Sequence, residues 1–215
     1  MDITVSQNKI AVTKTARFYT LGNFENANCI WVVLHGYGQL AAYFIRKFGP
    51  VAQQFNDAFV APEALNKYYL QDASRVGATW MTKEDRETEI DDYVNYLNQL
   101  TDVLNLNNKK LIGLGFSQGG ATLCRWIASG KIKLHISILW AAFFPPDLKL
   151  DESLKYLKET DLHLFYGLQD ELINESQKEQ FQQLKEKYQL KPKEHQYQGK
   201  HEILIDELIR FRAQL

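Results

Sequence analysis

Ser117 stands in the run Gly115-Phe116-Ser117-Gln118-Gly119-Gly120, between an apolar stretch from Lys110 to Phe116 and a helix-like stretch from Ala121 to Ala128. Gly-x-Ser-x-Gly at the junction of a strand and a helix is the pattern of a nucleophile elbow. The sharp turn strains the serine backbone, and a side chain at either flanking position would crowd the adjoining strand and helix. Ser117 Oγ is then presented at the strand's C-terminal edge, with a helix N-terminus behind it that favours negative charge. A serine alcohol is a poor nucleophile near neutral pH, so the chemistry needs a base to take its proton and an acid to orient that base. Taken alone, the motif is also compatible with a glycine-rich turn that does no chemistry. The upstream His35-Gly36-Tyr37-Gly38 and a downstream acid and histidine, in the order Ser, Asp, His, favour the catalytic reading.

Five histidines compete for the role of base. His35 ends a strand before Gly36, where it shapes a loop or is a satisfied loop residue. His135 and His163 fall in apolar strand runs and read as structural, and His195 lies on a polar last strand. His201 occupies the turn Gly199-Lys200-His201-Glu202 before the final helix. That is where the fold delivers its base; the alternative is a surface residue at the helix entry. For the acid, Asp170 ends the turn Gly167-Leu168-Gln169-Asp170 after a buried strand, on the same sheet edge as Ser117. Asp161 precedes that strand and belongs to the opposite edge. Asp147 and Asp151 follow Pro145-Pro146 and read as turn and cap residues. Glu171 is the nearest competitor. The developing oxyanion needs backbone N–H donors. Gln118, after the nucleophile, supplies one, and Tyr37 between two glycines supplies the other, with Gly38 as the fallback.

The elements that must hold these groups follow from the hydrophobic pattern. Strands are expected over about 9–20, at Ile30–Leu34, Ala58–Pro62, Leu111–Phe116, His135–Ala142, Leu162–Gly167 and Glu194–Tyr197. Ala42 to Phe55 reads as a helix. Ile90, Tyr93, Val94, Leu97 and Leu100 have helical spacing, as do Phe181, Leu184 and Tyr188, and then Leu204, Leu208 and Phe211. Glu63 to Glu84 reads as an irregular surface loop whose aromatics fold against the body. Alternating strands and helices predict an α/β architecture: a mostly parallel central sheet with helices on both faces. No repeat or linker interrupts the pattern, so residues 1–215 read as one domain, without a large lid.

The bulk composition agrees with this reading. A hydrophobic fraction of 45% and a charged fraction of 24% suit a soluble globular domain. A net charge of −1 gives no reason to expect nucleic acid as a partner. Cys29 and Cys124 read as buried free thiols, which suits a reducing compartment. Met1-Asp2-Ile3-Thr4-Val5 lacks the pattern of a secretory leader, and no apolar run reaches spanning length, so a cytoplasmic protein without stable membrane insertion is expected. No His/Cys/Asp cluster has metal-ligand spacing.

With these residues in hand, the chain resembles the small carboxylesterase/phospholipase branch of the α/β-hydrolases, which includes the acyl-protein thioesterases. Leu34-His35-Gly36-Tyr37-Gly38 resembles that branch's oxyanion motif, and Gly115 to Gly120 matches its elbow, including the Gln and the double Gly. Gly167-x-x-Asp170 and Gly199-Lys200-His201-Glu202-Ile203 resemble its acid and base motifs. The resemblance implies an α/β-hydrolase fold and a cofactor-free serine esterase acting on a small-molecule ester, as a monomer or homodimer. There are departures. Gly77-Ala78-Thr79-Trp80-Met81-Thr82 lacks the branch's aspartate, and Trp140-Ala141-Ala142-Phe143-Phe144-Pro145 replaces a Ser-Gly-rich segment. Tyr166 stands for a common histidine and Asn174 for a frequent proline. These point to a differently shaped acyl pocket. Trp80, Met81, Phe143 and Phe144 are candidates to line it, against the alternative of ordinary core. Arg75 and Lys200 are candidates to meet an anion, against that of solvated surface charge. Thioesterase, lysophospholipase and acyltransferase activities use the same acyl-enzyme, and a non-catalytic ligand-binding protein on this fold is the alternative from another class.

Overall fold

The computed structural model describes residues 4–71, 74–106, 109–148 and 150–215. Part of the reading of Met1 to Val5, at Met1–Ile3, lies outside them. In chain order the elements are β1 (Phe18–Leu21), β2 (Ile30–Leu34), α1 (Ala41–Phe44), α2 (Gly49–Phe55), β3 (Ala58–Pro62), β4 (Asn66–Tyr69) and β5 (Val76–Thr79). Then follow α3 (Arg86–Val103), β6 (Leu111–Phe116), α4 (Gln118–Ala128), β7 (Ile136–Trp140) and α5 (Leu150–Lys158). The chain closes with β8 (Asp161–Gly167), α6 (Glu175–Tyr188), β9 (Lys193–Tyr197) and α7 (Ile205–Arg212).

Seven strands form one sheet in the order β1-β3-β2-β6-β7-β8-β9. All neighbours are parallel except β1, which runs antiparallel to β3. The central strands are buried on both faces, so they read as continuous apolar runs. Successive residues feed two separate cores. Ile30, Val32 and Leu34 pack with Tyr93, Leu97, Leu123 and Phe181 from α3, α4 and α6. Trp31 and Val33 pack with Phe44, Val51, Leu208 and Phe211 from α1, α2 and α7. Helices therefore cover both faces, as the alternation predicts.

Three details differ from the sequence reading. The early strand is only Phe18–Leu21, because its register, Phe18 opposite Pro62 to Leu21 opposite Phe59, uses up the length of β3. The helix expected over 42–55 is broken into α1, a 3₁₀ turn at Ile45–Phe48, and α2. Pro50 has no N–H to continue a helix and sits in the first turn of a new one. The segment 63–84 contains a two-stranded antiparallel hairpin, β4–β5. Its strands are short and one alternates half-buried and exposed residues, a weak periodic signal.

Only residues 141–149 lie between β7 and α5, so no helical lid is inserted there. Asn174 caps α6: its side chain accepts from Gln177 N–H at 2.9 Å while Gln177 Oε1 accepts from Asn174 N–H at 3.1 Å. Asn174→Ala is expected to cost about 1 kcal/mol, read as a lowered urea midpoint with unchanged slope. Both cysteines are buried and free. Among the described residues no helix is long and apolar enough to cross a membrane.

Candidate active site

β2 leads through α1 and α2 to β3 on one side, whereas β6 leads through α4 to β7 on the other. The loops leaving their C-terminal ends diverge and open a crevice, the usual ligand position in such sheets. The register sets Leu34 beside Gly115 and Phe116 beside Trp140, so the loop after β2 and the turn after β6 meet at that crevice.

Ser117 has φ 53° and ψ −119°, a conformation that costs a side-chain-bearing residue energy. The surrounding glycines explain how it is enforced. A Cβ on Gly115 would sit 2.4 Å from Gly119 O, one on Gly119 would sit 2.2 Å from Leu34 O, and one on Gly120 would sit 2.3 Å from Ala142 Cβ. Strand, helix and neighbouring loop thus approach to backbone contact. Ser117 N–H is tied to Trp140 O at 2.9 Å.

Asp170 and His201 are brought together by the C-terminal ends of β8 and β9, where Gly167 pairs with Tyr197. A Cβ on Gly167 would lie 2.3 Å from Gly199 O, so the two loops cross at a point only glycine allows. Asp170 Oδ2 accepts from His201 Nδ1 at 2.8 Å, and Oδ1 accepts from Leu172 N–H at 3.0 Å. The Asp170 side chain is fully buried while that of His201 is 22% exposed, so the carboxylate is shielded and the imidazole is reachable. Glu171, the competing acid, is exposed. Beneath the His201 loop, Tyr197 Oη donates to Glu202 O at 2.7 Å and accepts from Trp140 Nε1 at 2.9 Å, and Phe116 packs its ring 5.0 Å from that of His201. Trp140 and Tyr197 thus support the site in a way the sequence did not reveal.

The amides of the loop after β2 are mostly committed. Gly36 N–H goes to Gln39 Oε1 at 2.9 Å and Gly38 N–H to Ala78 O at 2.9 Å, which removes Gly38 as a donor. The Tyr37 N–H makes none of the described hydrogen bonds, and Gln118 opens α4, where N–H groups lack helical partners. His35 is wholly buried. Ala64 N–H donates to its Nε2 at 3.1 Å, so Nδ1 carries the hydrogen toward Gly36 O at 2.8 Å. Burial pushes its pKa below the ordinary value and keeps it neutral. His35 therefore shapes this loop. His135, His163 and His195 are structural: His135 Nδ1 accepts from Leu111 N–H, and His163 and His195 hydrogen-bond each other at 2.9 Å beside Phe165 and Phe211.

The Gln118 side chain fastens the hairpin to the elbow. Its Nε2 donates to Thr79 Oγ1 and Met81 O, each at 2.9 Å, and its Oε1 accepts from Trp80 N–H at 3.1 Å. Trp80 is a correction to the sequence reading. It is fully buried, donates Nε1 to His35 O at 2.8 Å, and does not line the cavity at Ser117. Met81, expected beside it, meets Gln118 through its carbonyl and likewise stays outside that lining.

A cavity of about 430 Å³ opens at Ser117, with Gln118 and His201 in its wall. Phe143 and Phe144 are in the lining and pack on Phe181 of α6, with ring centroids 5.0 and 5.4 Å away. Ala142, Leu172, Ile173 and Leu184 continue the apolar wall. Arg75 lies elsewhere, beside a second depression near Leu40 and Tyr43, and Lys200 is not in the lining. The lining does hold two cations the sequence reading passed over, Arg86 and Arg125. Behind them, Asp147 takes Arg125 Nε at 3.0 Å and Nη2 at 2.8 Å, and Arg86 Nη2 at 2.5 Å. Burial raises the Asp147 pKa, but the hydrogen bonds from the two guanidiniums outweigh it and hold the carboxyl at about 2. A lowered folded-state pKa gives stability that is present above pH ~4 and lost as pH falls toward about 2. With a partly exposed group, wild type is expected to lose about 1 kcal/mol more than Asp147→Asn between pH 6 and pH 2.5, read by urea unfolding.

Among the described residues no group of three His, Cys, Asp or Glu side chains is placed to hold a metal ion.

A family model described as phospholipase/carboxylesterase matches residues 23–214. No curated protein sequence matches the chain. Solved structures similar to it include Zea mays acyl-protein thioesterase 2, at 17% identity over 93% of this chain and 99% of that one, with a TM-score of 0.71. Esterase PE8 aligns at 20% identity over 94% and 99%, with a TM-score of 0.68. A phospholipase/carboxylesterase from Dyadobacter fermentans aligns at 18% identity over 95% and 97%, with a TM-score of 0.63. At these identities the likeness is one of fold, and the fold is that of the α/β-hydrolases.

Proposed function

The chain belongs to the phospholipase/carboxylesterase family, and from that premise we propose that it is a serine hydrolase that cleaves carboxylic esters through an acyl-enzyme. The observation that carries the reading is the shielded His201–Asp170 hydrogen bond at 2.8 Å, with His201 and the strained Ser117 in the wall of one cavity.

Ser117 Oγ attacks the acyl carbon as His201 Nε2 takes its proton. Asp170 keeps the other ring hydrogen on Nδ1, leaving Nε2 free to accept, and stabilises the imidazolium that forms. The N–H groups of Tyr37 and Gln118 receive the oxyanion. Collapse of the tetrahedral intermediate releases the alcohol with the proton from His201. Water then attacks the acyl-enzyme by the same route in reverse roles. Phe143 and Phe144 face the acyl chain. The reaction needs only these protein groups and water, with no cofactor. A thioester carbonyl fits the same machinery, and a structural relative is named an acyl-protein thioesterase. The buried thiols at Cys29 and Cys124 suit the reducing cytoplasm.

Incubation with a fluorophosphonate probe, followed by peptide mass spectrometry, is expected to place one adduct on Ser117. p-Nitrophenyl esters of graded chain length are expected to show a burst of p-nitrophenol equal to the labelled fraction. A folded protein that shows neither adduct nor burst would overturn the hydrolase reading in favour of a non-catalytic ligand-binding protein.

A further inference from the structure

Ser117, Ala121 and Arg125 lie on one side of α4 and all line the cavity, so its floor runs from the nucleophile to a guanidinium. Arg86, at the start of α3, joins Arg125 there. The two cations at that end are paired unequally. Both guanidiniums meet the carboxylate of Asp147, which lies outside the lining, and Arg86 Nε also lies 3.9 Å from the exposed carboxylate of Glu87. Arg125 is 9% exposed, gives two nitrogens to Asp147, and is matched by it. Arg86 gives Asp147 one nitrogen, its contact with the solvent-exposed Glu87 is beyond hydrogen-bond distance at 3.9 Å, and its side chain is 31% exposed, so it keeps donors to offer. Among the described residues no Asp or Glu is in the lining, while Gln177 and Gln180 add polar groups to it. A cavity with apolar walls near the serine and a guanidinium with spare donors farther off fits a chain with an anion at its end.

The direction in which a substrate lies follows from the proton path. His201 must hand its proton to the departing oxygen, so the alcohol half lies toward His201 and the acyl half toward α4. Eight residues of helix separate Ser117 from Arg125, about 12 Å, and side chains lean back toward the helix N-terminus, which leaves room for an acyl chain of about four to six carbons.

Resting on the esterase reading, we infer that the Arg86–Arg125 end of the cavity recognises a carboxylate at the far end of the acyl chain, so that the preferred substrates are half-esters of medium-length dicarboxylic acids.

The test compares p-nitrophenyl hexanoate with the p-nitrophenyl half-ester of adipic acid, which differ by one terminal carboxylate, in wild type and Arg86→Gln. Arg86 is chosen because removing Arg125 would strand Asp147 in a partly buried position. Thermal melting checks that the variant folds. Wild type is expected to prefer the adipate half-ester in kcat/KM at least tenfold at low salt, and Arg86→Gln to reduce that ratio at least fivefold. A wild-type ratio of one or below, or a ratio the variant leaves unchanged, would overturn the inference while leaving the esterase reading in place. Calorimetry on Ser117→Ala with monomethyl adipate and methyl hexanoate separates the two conclusions. Tighter binding of the adipate ester, weakened by adding Arg86→Gln, supports the inference even where no ester is turned over. Equal binding of the two esters counts against it.

Discussion

Replacing Ser117 by alanine is expected to lower kcat/KM for any ester the protein hydrolyses by about 10⁴- to 10⁶-fold. That corresponds to roughly 5–8 kcal/mol of transition-state stabilisation. The loss is large because the cavity, the oxyanion donors and the His201–Asp170 pair would all remain, with no atom left to bond the acyl carbon. The substitution removes one oxygen from a turn whose shape is fixed by Gly115, Gly119 and Gly120. Melting temperature and circular dichroism are therefore expected to match wild type. The residual rate reports what the oxyanion amides and binding accomplish without covalent chemistry. A variant that keeps more than a tenth of the wild-type rate on a well-folded sample would show that the nucleophile lies elsewhere.

Asp170→Asn is expected to cost about 10³- to 10⁴-fold in kcat with little change in KM, because it sets the wrong histidine tautomer. The geometry makes the direction of the effect specific. Leu172 N–H donates to Asp170 Oδ1 while His201 Nδ1 meets Oδ2. An asparagine must keep its carbonyl toward Leu172 N–H and turn its NH₂ toward His201. Nδ1 then has to accept, the ring hydrogen moves to Nε2, and the atom that should take the serine proton already carries one. The reversed amide would set NH₂ against N–H in a fully buried position, which is worse. Nitrogen-15 shifts of His201 should show the exchanged tautomer alongside the lost rate. Activity within tenfold of wild type would mean that Asp170 does not orient the base.

Much of this arrangement was legible from local chemistry. Ser117 was marked by glycines whose absent side chains the turn requires. The order of Asp170 and His201 after strand ends put both on one sheet edge. The burial of the central strands on both faces followed from their unbroken apolar runs. Other features depended on contacts that no window of sequence contains. Trp80 looked like a pocket residue because it sits in a segment read as irregular, yet that segment holds a hairpin that drives the indole onto His35 O. Arg125 drew no notice in the sequence; only the three-dimensional turn of α4 shows it four residues beyond Ala121 on the Ser117 side. The break after α1 was announced by Gly49-Pro50, but the apolar spacing across it concealed the stop. The partner of Arg86, Asp147, lies 61 residues away and comes into reach only when the β7 loop folds over α4.

The positive φ of Ser117 sets the interests of folding and of turnover against each other at one residue. Glycine would occupy that turn without the steric penalty and with the surrounding contacts untouched. A population of such chains screened only for heat resistance would thus feel a pull away from serine at this position. Only a screen that also asks for product would hold it there, and the tolerated substitutions at 117 would differ completely between the two. Thermostability engineering of this chain should accordingly begin far from β6, on exposed helix faces and caps, and treat the elbow as a place where added robustness signals lost chemistry.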